Sequence, residues 1–412
     1  MTPFRLAYLI SHPIQYQVPL LRRLAAHPEV DLTVYYMDDV GAREYRDPEF
    51  GVAVRWDLPM LDGYVWRVLP NWSPIPDADH FLRYIQPSVV AVLRRERYDA
   101  LIVHGYAHAT EWLAFLGAWA SRTPILLRGE STLLSRRRPW VRAAKRLVLG
   151  PVLRRMQGML SIGALNRTFY LAYGVQEARI FSVPYAVDNE RFMADADRLR
   201  PERAALRRQL GWPEDLPVIL YSGKLIPKKR PLDLVDACSR LAGDCAAALV
   251  LMGDGPLRGE VEAEVFRRGL EHVSVTGFVN QTEIPRHYAA ADVLVLPSGY
   301  EPWGLALNEG MCFGLPVIAS DAVGAAPDLV RDGENGFVYP TGDTQALAGA
   351  LRRVLVDSGR RAWMGARSRE IVSAYSYEAD VRGILTALHS VRPDRAPAAP
   401  LTGRGAGAAG RS

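Results

Sequence analysis

Short apolar runs recur along the first half of the chain at 5–10, 31–36, 100–103, 125–127, 159–162 and 180–183, separated by polar or Gly- and Pro-bearing stretches. Runs that stay apolar without alternating read as strands buried on both faces. Segments between them, such as 19–26 and 111–120, carry helical spacing. Strand and helix in alternation predict a parallel, doubly wound α/β sheet. Periodicity lapses at 184–192, VPYAVDNERF being its centre, and a polar helical pattern follows through 210. A second series of strand signals then appears at 217–225, 248–252, 273–276, 293–296 and 317–319. The expected architecture is therefore two Rossmann-like domains, 1–185 and 186–375, followed by a helix at 376–392. The tail 393–412 is rich in Ala, Gly, Pro and Arg, has no means of burying a core, and is expected to be disordered. A long stretch at 40–87, rich in Pro, Trp and Tyr, has no period and is placed near the substrate mouth.

The most informative segment is 292–322. An apolar run at 293–296 and another at 316–319 flank 305–313, a short crossover helix stopped by Gly314. In such units ligands sit beyond the carboxyl ends of the strands, where free amides at the helix start attract phosphate. Gly299, Gly304 and the backbone near Trp303 fall there. Glu301 lies in the loop and Glu309 about one turn into the helix. Each carboxylate can accept two hydrogen bonds in a fork, which suits vicinal hydroxyls of a sugar or a ribose.

Glu301 and Glu309, with seven residues between them inside EPWGLALNEGMCFGLPVIAS, resemble the E-x7-E signature of the retaining glycosyltransferases of family 4, which have the GT-B fold of two facing Rossmann-like domains. The resemblance runs across about 217–351 and more faintly to both ends. It implies that Glu301 holds donor-sugar hydroxyls and stabilises an oxocarbenium-like state, and that Glu309 holds the ribose diol. In YSGKLIPKKR, Lys224 stands where the family usually has Arg, and Lys229 aligns with its second phosphate-binding cation. Lysine keeps the charge that a departing diphosphate needs but loses the bidentate fork. Gly253 in MGDGP resembles a turn beside the nucleotide, a plain structural turn being the alternative, while Gly277, Phe278 and Val279 of GFVN resemble the loop whose backbone reads the base. Gly223, Trp303, Gly304 and Leu305 complete the implied donor set.

On the other domain SHPIQYQ stands where the family has a Gly-rich loop, and it lacks those glycines. His12, Gln15 and Tyr16 are read instead as side chains that contact the acceptor or donor. In RGEST, Glu130 occupies the place where many members have a His near the transferred sugar. Glu130 and His12 therefore join Glu301, Lys224 and Lys229 as catalytic candidates. His104, at another strand end, is an acceptor-side candidate with packing as the alternative. The helix at 376–392 is implied to pack back on the first domain.

At 412 residues, 49% of them hydrophobic and 23% charged, the chain has an ordinary globular composition and room for two cores. Cys238, Cys245 and Cys312 have neither metal-ligand spacing nor a disulfide framework, which points to a cytoplasmic protein with reduced thiols. No cofactor or metal is expected, since the nucleotide-sugar is a substrate. The apolar start is too short to span a bilayer, and His104, His108 and Glu111 interrupt the next apolar stretch. The net charge of +5 is uneven, because 131–176 contains no acid while cations run from Arg136 to Arg167. Within 136–155, Trp140, Ala144 and Leu147 share helical spacing and Arg138, Arg142 and Lys145 lie on another side. Such a helix suits peripheral contact with an anionic membrane at its inner face, or a phosphorylated acceptor; a solvated face is the alternative. Nucleic-acid platforms are missing. The combined expectation is metal-independent, front-face transfer of a hexosyl or N-acetylhexosaminyl group from a UDP-sugar to an acceptor hydroxyl, with GDP-sugars as other donors. The rivals are another GT-B enzyme, such as an epimerase or phosphorylase, and a nucleotide-sugar-binding scaffold without turnover.

Overall fold

The computed structural model describes residues 2–47, 49–76, 80–134, 138–241 and 245–392. The tail at 393–412 lies outside the described residues, as do Arg136 and Arg137 of the basic run. In chain order the strands are β1 (Phe4–Ile10), β2 (Val30–Tyr36), β3 (Tyr45–Arg46), β4 (Ala53–Val54), β5 (Val65–Val68), β6 (Ala100–His104), β7 (Ile125–Arg128), β8 (Gly158–Ser161) and β9 (Ile180–Ser182). The second half supplies β10 (Val218–Ser222), β11 (Ala248–Met252), β12 (Val273–Gly277), β13 (Val293–Leu296), β14 (Val317–Ser320) and β15 (Gly336–Tyr339). One sheet has the order β5-β2-β1-β6-β7-β8-β9 and the other β12-β11-β10-β13-β14-β15. All pairings in both are parallel, whereas β3 and β4 form a separate antiparallel hairpin. Each sheet reverses its winding beside its first strand, between β1 and β6 and between β10 and β13. Crevices open at such reversals, beyond the carboxyl ends of the strands.

The strands are continuously apolar because both faces are covered. Leu6, Tyr8 and Ile10 of β1 enter one core cluster, and Ala7 and Leu9 enter the opposite one. Val218 and Leu220 of β10 likewise part from Ile219 and Tyr221. In the two large sheets β5 and β15 escape sequence reading, as do β3 and β4 of the hairpin. β5 is an edge strand with Val65 58% and Val68 42% exposed, so it has no buried face to betray it. β15 begins at Gly336 inside DGENGFVY, which reads as a turn; a Cβ there would lie 1.8 Å from the carbonyl oxygen of Val317, so only glycine can start the strand. The strand read at 217–225 stops at Ser222.

Three helices matter for the site: α1 (Pro139–Arg155), α2 (Leu305–Cys312) and α3 (Tyr377–Val391). α3 packs on the first sheet, its Tyr377, Ile384, Ala387 and Leu388 joining Phe4, Leu6 and Tyr8. Gly383 permits this approach, because a Cβ would meet the Ser182 carbonyl oxygen at 2.0 Å. Arg128, ending β7, pairs with Asp380 of α3 at 3.4 Å, each side chain 1% exposed. The chain crosses between domains at 183–189 and again at 372–377, and Asn189 ties the crossings together: its Nδ2 donates to the carbonyls of Val372 (3.0 Å) and Tyr375 (3.1 Å). In α1 the apolar side chains Trp140, Ala144 and Leu147 point away from the core. Lys145 turns onto the rings of Tyr106 and Phe169, Leu149 and Leu153 supply the buried face, and Trp140 and Leu147 are exposed. Among the described residues no helix is long and apolar enough to cross a membrane.

Candidate functional site between the two domains

A cavity of about 520 Å³ lies where the two sheet reversals face each other, within the size range of small-ligand sites. Its second-domain wall is built from strand ends: Gly223 and Lys224 after β10, Gly253 after β11, Phe278 and Val279 after β12, and Glu301 after β13. Backbones meet closely here. Gly253 has φ +154, and a Cβ on it would fall 1.8 Å from the Gly223 carbonyl oxygen, so the two loops fit only with glycine. Lys229, from the turn that follows Lys224, forms an ion pair with Glu301. The side chains are 17% and 14% exposed, which places the pair at the cavity wall.

Glu309 projects from α2 and is 2% exposed. Both of its oxygens are engaged: Tyr16 donates to Oε1 at 2.9 Å and Tyr288 to Oε2 at 2.7 Å. Burial raises its pKa, while the two tyrosine hydrogen bonds pull the other way. Tyr16 comes from the first domain, so its bond to Glu309 spans the cleft. This revises the acceptor-side reading of Tyr16, which the structure sets against the ribose-binding candidate.

His12 and Gln15 line the same cavity from the first domain. The Nδ1 of His12 lies 3.0 Å from Ser11 Oγ, and burial holds the ring below its ordinary pKa. Glu130 and His104 are not on the cavity wall. Glu130 accepts a hydrogen bond from Tyr185; crowding by protein raises its pKa against that bond, and the nearby Glu301 adds to the rise. His104 sits between Tyr8 and Tyr185, at 3.3 and 3.4 Å, and desolvation, then Arg128 and His12, lower it to about 3. Both groups meet Tyr185, whose ring lies beside Arg128, His104 from a half-buried position and Glu130 from an exposed one.

Four donor-set residues stand away from the cavity. Trp303 is 3% exposed; its Nε1 donates to Asn308 Oδ1 at 2.9 Å, and its ring lies so close to Gly163 that a Cβ there would be 2.3 Å away. Its ring packs beside Gly163 and Tyr185 of the first domain. Gly304 has φ +108 and faces Leu296 and Val323, Gly277 faces Asp254 and Arg258, and Leu305 packs on the second core. Tyr300, Pro302 and Ala306 make the wall there instead.

Sequence reading also missed residues. Tyr45, Asp47, Glu49, Phe50 and Trp56, on and beside the β3–β4 hairpin, line the cavity. The only signal was their location in the aperiodic stretch assigned to the substrate mouth. Tyr288 lies in an ordinary short helix, Ile284–Ala290, and nothing local marks it.

Two parallel-sheet α/β domains facing each other over a nucleotide-sized cleft define the GT-B fold. Within it, residues 202–371 match the family Glycosyl transferases group 1. The chain is 33% identical over 237 residues to a D-inositol 3-phosphate glycosyltransferase of Geodermatophilus obscurus, covering 55% of this chain and 50% of the relative. It is 32% identical over 206 residues to the alpha-D-kanosaminyltransferase of Streptomyces kanamyceticus, covering 49% and 52%. The chain thus spans about half the length of the curated relatives it matches. Anabaena Alr3699/HepE, solved in complex with UDP and glucose, has a TM-score of 0.71 at 20% identity over 94% of this chain and 100% of that one. This likeness shows the shared fold.

Proposed function

We propose that the protein is a retaining glycosyltransferase of the family 4 type, which moves a hexosyl or N-acetylhexosaminyl group from a UDP-sugar to an acceptor hydroxyl. The observation that carries this reading is convergence: Glu301, Glu309, Lys224 and Lys229 meet in one cavity at the reversal of the second sheet, opposite His12 and Gln15. Glu309 takes the ribose diol, the lysines take the diphosphate, and Glu301 takes donor-sugar hydroxyls. The bond from the anomeric carbon to the phosphate oxygen breaks, and the bond to the acceptor oxygen forms on the same face. The departing phosphate oxygen takes the acceptor proton, so no separate base is needed, and fixed cations stabilise the charge it develops. No cofactor enters the reaction.

The donor class follows from thermal unfolding of the chain with UDP, GDP, ADP and their sugars, repeated with Glu309→Ala. Ligand at one hundred times its dissociation constant adds about 2.7 kcal/mol. A shift selective for one base and lost in the variant supports the reading, and an unshifted transition with every nucleotide rejects it. Retention is checked by the anomeric configuration of the product.

The reading extends to a membrane surface. Trp140 is 67% exposed, Leu147 78% and Val148 64%, beside the exposed Arg142 and Arg146. Apolar side chains to insert and cations to meet anionic headgroups are what a helix lying on a bilayer requires. Flotation with anionic vesicles but not with neutral ones is the expected result; equal behaviour with both excludes it.

A further inference from the structure

Residues 45–47 and 49–57 of the first domain cover the very groups assigned above to the nucleotide-sugar. Asp47 places both carboxylate oxygens 3.0 Å from the Lys224 ammonium. Glu49 reaches Lys224 at 2.9 Å and Lys228 at 2.7 Å. Phe50 stands edge-on to Phe278, with ring centroids 5.2 Å apart, and Trp56 lies 5.9 Å from the same ring. Asn280 Nδ2 donates to the Arg55 carbonyl at 2.6 Å, and the Thr282 amide donates to Asp57 at 3.1 Å. Tyr16 meets Glu309 with a hydroxyl, as a ribose would.

A carboxylate offers an ammonium the same kind of short, charged acceptor that a phosphate oxygen offers. A diphosphate arriving at Lys224 therefore meets two carboxylates already on that cation, and like charges brought this close in a partly desolvated cleft repel. Both cannot hold Lys224 together. Resting on the donor-site reading above, we propose that residues 45–47 and 49–57 act as a gate whose Asp47 and Glu49 occupy the diphosphate subsite, so that a nucleoside diphosphate binds only as these residues swing off Lys224 and Lys228. Glu49 remains charged while it competes: burial works to raise its pKa, but hydrogen bonds from Lys228 and Lys224 outweigh it and bring it to about 2. The same competition favours release of the nucleotide after transfer.

The test is titration of the full chain, wild type and Asp47→Asn/Glu49→Gln, with UDP and with uridine, which lacks phosphate. Where only about a tenth of the chains have an open subsite, removing the competitor tightens UDP binding about tenfold. Uridine binding should be the same in both. UDP binding that is unchanged or weaker in the variant overturns the gate, as does equal tightening for uridine. Wild-type binding without any gain in the variant fails the gate alone; silence of both chains toward UDP, GDP and ADP fails the donor-site reading and the gate with it. Hydrogen exchange on the wild type provides a readout free of substitution. Amides of 49–57 should exchange faster in saturating UDP, and slower or unchanged exchange overturns the proposal.

Discussion

The two walls of the cleft are built in different ways. The second-domain wall is assembled from consecutive strand ends whose backbones touch, as Gly253 against Gly223 shows, and its charged groups, Lys229 and Glu301, already pair with each other. On the first-domain side Gly41 approaches the loop after β1, where a Cβ on it would lie 2.5 Å from the Pro13 carbonyl oxygen. That wall also reaches across with side chains: Tyr16 to Glu309, and Asp47 and Glu49 to Lys224. One wall is a rigid receptor, and the other is a set of arms. Specific recognition of a ligand's fixed parts belongs with the first kind of construction, and access to the site belongs with the second.

Substitutions can break this contrast. The largest effect is expected behind the arms, where Arg128 and Asp380 fix α3 to the first sheet. Arg128→Met leaves an unpaired buried carboxylate and should cost about 3–5 kcal/mol of stability near pH 8. Burial, opposed by Arg128, lifts the Asp380 carboxyl from 3.8 to about 7. A group raised in the folded state subtracts stability as pH rises through that interval, so the cost of Arg128→Met should shrink on acidification, and Asp380→Asn should remove this part of the pH dependence. His104, lowered to about 3 from 6.5, contributes the opposite slope, its stability being present above pH 6.5 and lost toward 3. Chemical denaturation at several pH values with the single variants separates the two.

Next in size is Glu301→Ala. Loss of one charged group that serves the transition state costs about 100- to 1000-fold in turnover, while the affinity for free nucleotide should change little. Turnover near that of wild type would remove Glu301 from the reacting sugar. The smallest effect is expected for Tyr16→Phe, which deletes a hydrogen bond worth about 1 kcal/mol of stability. Because a ribose on Glu309 would replace this bond, nucleotide affinity should stay level or rise in the variant. Weaker binding would instead make Tyr16 a ligand contact and blur the distinction between the walls.

The same contrast explains what the sequence revealed. Glu301, Glu309 and the glycines between the strands belong to contiguous segments whose spacing reflects a local unit, so the second-domain wall could be read directly. The orientation of the Trp303 ring, 3% exposed, was not legible from its position in the motif. Tyr16, Asp47 and Glu49 meet partners 293, 177 and 175 residues away, and no local pattern encodes such a pairing. Arg128 and Asp380 are hidden for the same reason, being 252 residues apart. The strands carry over well where both faces are buried and poorly where, as in β5, no face is.

Asn189 has a mechanical meaning. Because the chain leaves the first domain and returns to it beside the same side chain, both covalent links between the domains lie at nearly one point. Two bodies pinned at one place move as a clamshell: the far rim sweeps widely while the pin hardly shifts. The hairpin arms grip at the cleft, away from that pin, so a few hydrogen bonds there act with leverage on how wide the shell stands open.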